Sequence, residues 1–102
     1  MKILHLLAGA AALTLGAMPA AAALAPNYQR LAELNAVLND SHVAAAFGMT
    51  PIDRVEYLSP DLYRATAGRC HIDVRIIGLP MPRNMVGARR FETRAGQRIC
   101  AR

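Results

Sequence analysis

The first residues of this chain limit what the rest can fold into. Met1 and Lys2 precede an uncharged apolar run from Ile3 through Met18, followed by Pro19 and a string of alanines. A short basic start, an apolar middle and a small-residue end make the layout of a bacterial secretory signal. Ala21 and Ala23 supply the small residues for a cut after Ala23. The run is long enough to span a bilayer. It is alanine-rich and broken by Pro19, so cleavage of 1–23 is expected, with no stable span left afterwards. What remains, 24–102, is a single domain of about eighty residues, a size at which an apolar core alone gives marginal stability.

Export also decides how the two cysteines read. Cys70 and Cys100 are the only pair in the chain. In an oxidising compartment an even pair is first a disulfide, and the spacing is too wide for a Cys-x-x-Cys redox motif. A periplasmic or secreted location follows from the same two features.

The pattern after residue 24 changes period once. Pro26-Asn27 can open a helix with Asn27 as its cap, and Leu31, Leu34 and Leu38, extended by Tyr28, predict an apolar stripe. Asp40 can cap a short second helix over Ser41 to Phe47, which Gly48 would end. From Ile52 the period becomes two. Ile52 to Leu58 and Leu62 to Ala67 flank a Ser59-Pro60-Asp61 turn signal. Cys70, Ile72, Val74 and Ile76 then alternate with His71, Asp73 and Arg75, the mark of a strand dry on one face. A proline-flanked connection, Leu79 to Gly87, leads to a final hairpin: Arg89 to Arg94, a turn at Ala95-Gly96, and Gln97 to Ala101, with Phe91 and Ile99 as apolar anchors. The expected fold is α+β: an N-terminal amphipathic helix and a short second helix packed on one face of a four- or five-stranded antiparallel meander, closed by one disulfide. If Ile99 points inward, strict alternation turns Cys100 outward, so a bulge near the end of the last strand, or a bond just past the sheet edge, is needed for Cys70 to reach it.

The inventory for catalysis is thin. Ser41 and Ser59 sit at caps or turns, Glu33, Glu56 and Glu92 fall on separate elements, and no nucleophile elbow, zinc-binding helix or phosphate-cradling glycine loop occurs. His71 and Asp73 share a strand face, but two ligands make a poor metal site. No catalytic residue, metal or cofactor is expected.

Charge offers more. Lys2 is the sole lysine, so the other bases are all arginine, and twelve bases stand against seven acids for a net charge of +5. An exported basic surface meets anionic headgroups, acidic polymers or acidic proteins rather than nucleic acid. Arg90, Arg94, Arg98 and Arg102 would form a patch for carboxylates or phosphates if the two strands of the last hairpin present one face. The first expectation is therefore a non-enzymatic binder of an envelope protein or anionic envelope surface. A second is an inhibitor of an exported hydrolase, offering Pro82 and Arg83 from a stiff Pro80–Asn84 loop. A third is an accessory subunit of an envelope complex.

Overall fold

A computed structural model describes residues 24–84 and 86–102, so the proposed signal, 1–23, lies outside the described residues. Two helices, α1 (Pro26–Leu38) and α2 (Ser41–Phe47), precede four strands: β1 (Arg54–Ser59), β2 (Leu62–Ala67), β3 (Cys70–Gly78) and β4 (Phe91–Cys100). The strands form one antiparallel meander in the order β1-β2-β3-β4, and both helices lie on one side of it. The architecture is the α+β two-layer arrangement expected of a one-faced sheet and an amphipathic helix.

The core is the product of period two meeting period 3.6. Tyr63, Ala65 and Ala67 of β2 and Ile72, Val74 and Ile76 of β3 point to the helices, and Val37, Val43 and Phe47 fill the space above them. Asp40 caps α2 by accepting from the amides of His42 and Val43 at 2.8 and 3.1 Å, and from the hydroxyl of Thr93 on β4. One carboxylate thus starts a helix and ties it to the last strand. Gly48 ends α2 at φ 60°, a conformation that favours glycine. Between β2 and β3 only Gly68 and Arg69 turn the chain. Gly68 takes φ 61°, as tight hairpins require, and its amide donates to Asp53 at 2.7 Å.

Two expectations about α1 need correction. Its cap position is Ala25 rather than Asn27, with Pro26 as the first helical residue, where proline's missing donor costs nothing. The stripe that packs is also rotated. Glu33 and Val37 are buried and Leu34 is half-buried, whereas Tyr28, Leu31 and Leu38 remain about half exposed (59%, 52% and 48%). The reason is a long-range partner. Glu33 accepts from the Tyr63 phenol at 2.7 Å and from the Gln29 amide at 2.7 Å, so it can occupy the inner face that leucine spacing alone assigns elsewhere. Tyr63 also packs edge-to-face on Tyr57, 5.7 Å between ring centres, and Arg30 covers Tyr57 at 3.6 Å.

The final hairpin does not form. Phe91–Cys100 is one continuous strand, so the sheet has four strands and Ala95-Gly96 is not a turn. Its pairing with β3 slips once: Ile72 faces Arg98, but Val74 faces Ala95. The extra residue is a β-bulge that inverts the alternation along β4. Before it, Phe91, Thr93 and Ala95 face the helices; after it, Arg98 and Cys100 do, and Ile99 turns to the other face, 57% exposed. Cys100 thereby stands directly opposite Cys70, and the two form a disulfide. Gly96 sits where a side-chain carbon would lie 3.1 Å from the Asp73 carbonyl, which explains a glycine in the bulge.

Candidate functional site

The helices cover one side of the sheet and leave the other open. β3 sends His71, Asp73 and Arg75 there. Arg64 and Thr66 of β2, Arg54 and Glu56 of β1, and Glu92 and Arg94 of β4 share that face by register. Most of these charges are matched locally. Arg64 grips Asp73 with both ends of its fork, Nε to Oδ1 at 2.7 Å and Nη2 to Oδ2 at 3.2 Å. Hydrogen bonding from Arg64 holds the Asp73 carboxyl below its ordinary range despite partial burial. Arg54 lies 3.5 Å from Glu56.

Arg75, set beside Arg94, breaks that pattern. The two are direct cross-strand partners, with Leu62 next in the row on β2. Arg94 has Glu92 on its own strand at 3.4 Å, and among the described residues no carboxylate reaches Arg75. A shallow depression of about 310 Å³ lies here, lined by Leu62, Asp73, Arg75, Arg94, Ala95 and Gly96. Two arginines paired across neighbouring strands and lining one depression suit a carboxylate or phosphate.

The four arginines read together from the sequence are separated by the bulge. Arg90 and Arg94 precede it, and Arg94 lies on the open face. Arg98 follows it on the helix side, where its guanidinium donates to the Ala46 carbonyl at 2.9 Å. Arg102 lies past the strand and is exposed. Arg75, the residue that does stand beside Arg94, was hidden in the sequence because only the β3–β4 register places it there.

A second polar cluster secures the long connection between β3 and β4. Arg89 bonds Asp61 at 2.9 and 3.4 Å and lies 3.7 Å from Glu33. Pro82 and Arg83 are exposed further along the same connection. Burial, then hydrogen bonding to Glu33, raises the Tyr63 phenol far above its ordinary pKa of 10.0, so it stays a donor at any working pH. Among the described residues no three His, Cys, Asp or Glu side chains gather as for a metal, and no helix is long and apolar enough to cross a membrane.

Acid should loosen this structure. Burial alone would raise the Asp40 carboxyl, but hydrogen bonds from Thr93, Val43 and His42 outweigh it and leave it lowered, as Asp73 is lowered by Arg64. A carboxyl lowered in the folded state contributes stability above its unfolded pKa and loses it as pH falls through the folded value. Thermal unfolding followed by circular dichroism should therefore show stability constant above about pH 5 and falling below about pH 4. Asp40→Asn should flatten that fall.

No family model matches the chain, and neither the curated proteins nor the solved structures contain a significant match.

Proposed function

We propose that this chain is a small, exported, non-enzymatic binding domain that engages the carboxylate or phosphate groups of an anionic envelope partner through the open face of its sheet. The observation that carries this reading is the Arg75–Arg94 pair. Like charges directly opposite on neighbouring strands destabilise a sheet. An anion shared between the two forks would turn that repulsion into charge-assisted hydrogen bonding. With Lys2 removed in the leader, eleven arginines stand against seven acids, and this net charge of +4 favours encounter with the same class of partner. The Cys70–Cys100 disulfide is compatible with folding outside a reducing compartment, and the leader-like residues 1–23 support export to the periplasm or beyond. Both depressions along β4 are shallow, whereas small-molecule chemistry favours a cleft that buries its ligand.

The test is retention of the disulfide-bonded protein on vesicles of anionic lipid and on immobilised acidic envelope protein across a salt series. Retention should weaken steeply between low and physiological salt and drop about tenfold in the Arg75→Ala/Arg94→Ala double variant. Arg102→Ala should change it far less. Retention indifferent to salt, or equal in the double variant, would remove the reading.

A further inference from the structure

β4 is the last strand of the sheet, and among the described residues no strand pairs with its outer edge. Which of its backbone groups are free follows from one hydrogen bond. The Leu79 amide donates to the Arg90 carbonyl at 2.9 Å, so the Arg90 peptide group turns toward the β3 side. In an antiparallel ladder that role alternates, so Glu92 and Arg94 also bond toward β3. Phe91, Thr93 and Ala95 therefore direct their N–H and C=O groups to the free edge. Beside that edge lies a groove of about 260 Å³, lined by His42 of α2 and by Glu92, Thr93, Arg94 and Ala95 of β4. The Thr93 hydroxyl bond to Asp40, at the start of α2, holds the helix in place along it.

An unpaired strand edge flanked by a helix-walled groove is the geometry that accepts an extended peptide as an added strand, with alternate side chains entering the groove. The charges state which peptide. On the open face, Arg90, Glu92 and Arg94 follow one another at alternate positions, and Arg94 continues across the sheet into Arg75. A residue added opposite Arg94 lies in the same cross-strand row as Arg94 and Arg75. Resting on the reading above, we infer that the partner is a protein carrying an extended segment with two acids four residues apart and a neutral or basic residue midway between them, docked along Phe91–Ala95 as a fifth strand. The pattern is the same read in either direction, so it holds for parallel and antiparallel addition. A second copy of this chain is a poorer occupant. Without the leader it carries eleven arginines against seven acids, and two such chains repel before they meet.

Ten-residue synthetic peptides test this against the disulfide-bonded protein by calorimetric titration at two salt concentrations. The first peptide carries Glu at positions i and i+4, Ser at i+2 and Val or Thr between. The second has the same composition with one acid moved from i+4 to i+3, so that the two acids fall on opposite faces of the added strand and cannot both meet the arginines. The third keeps the first sequence but N-methylates the amides that would face β4, leaving charge unchanged. The first peptide should bind, the second about tenfold more weakly, and the third not measurably, since methylation removes the ladder donors. Arg94→Ala should lower affinity for the first peptide about tenfold, with thermal unfolding confirming that the variant is folded. Equal binding of the first and third peptides would overturn strand addition, because charge alone would then account for binding. Retention on anionic vesicles with no peptide bound would overturn it too while leaving the anion-binding reading standing, and failure of both would end both. A concentration-dependent dimer that excludes the peptide, seen by sedimentation, would assign the edge to a second copy and also overturn it.

Discussion

Replacing Cys70 and Cys100 with serine should lower the stability of this domain by about 3–4 kcal/mol. The bridge joins residues 30 apart in sequence, and a closed loop of that size restricts the unfolded chain by about that amount. In a domain this small, the change should move the thermal midpoint down by some 15–25 °C. The bond also holds the C-terminal end of β4, where Gly96 to Cys100 are all exposed and contribute little to the core. Thermal unfolding of the oxidised protein, the reduced protein and the double-serine variant gives the number. The latter two should agree. A difference below about 1 kcal/mol would mean that the sheet holds its last strand without the bridge.

The second large effect concerns Glu33. It is 6% exposed and takes a 2.7 Å hydrogen bond from the fully buried Tyr63. Tyr63→Phe keeps the ring, and with it the packing on Tyr57, but withdraws that donor. A buried carboxylate that loses a donor costs about 1–3 kcal/mol. The remaining partners, Gln29 at 2.7 Å and Arg89 at 3.7 Å, should keep the loss toward the lower part of that range. Removing both polar partners should be less costly than the single changes suggest. In Glu33→Leu/Tyr63→Phe, an apolar pair replaces the polar one at similar volume, and part of the loss should return. Chemical denaturation of the two single variants and the double variant supplies the cycle. Strictly additive losses would show that the two groups do not depend on each other.

Much of this fold could be read from local pattern. The alternation of Cys70, Ile72, Val74 and Ile76 marks the dry face of β3 because that strand lies mid-sheet, with a helix layer on one side only. Asp40 and Gly48 bound α2 through interactions spanning four residues or fewer, which a local reading captures. Apart from the start of α1, where Pro26 takes the first helical position, the failures come from partners far away in sequence. Leucine spacing misplaces the inner face of α1, since Glu33 is made tolerable there by a tyrosine thirty residues on. Ala95-Gly96 has the composition of a turn, yet it runs straight through as a bulge because β3 offers it a continuous ladder. The arginine site suffered most from this. Spacing along β4 groups Arg90, Arg94, Arg98 and Arg102, and one inserted residue sends Arg98 to α2 while pairing puts Arg75 beside Arg94.

That bulge therefore serves both halves of the molecule. It turns Cys100 inward to meet Cys70, and it leaves Arg94 outward to meet Arg75. The functional reading depends on those two arginines acting as one anion site. The most direct measurement is a nuclear magnetic resonance titration of arginine Nε–H signals and backbone amides with an acidic polymer such as polyglutamate. Arg75 and Arg94 should shift together with one shared dissociation constant, accompanied by amides of Phe91 to Ala95, while Arg69 and Arg102 stay in place. Shifts centred on Arg69, Arg98 and Arg102 with Arg75 and Arg94 unmoved, or no saturable shift at all, would contradict the reading.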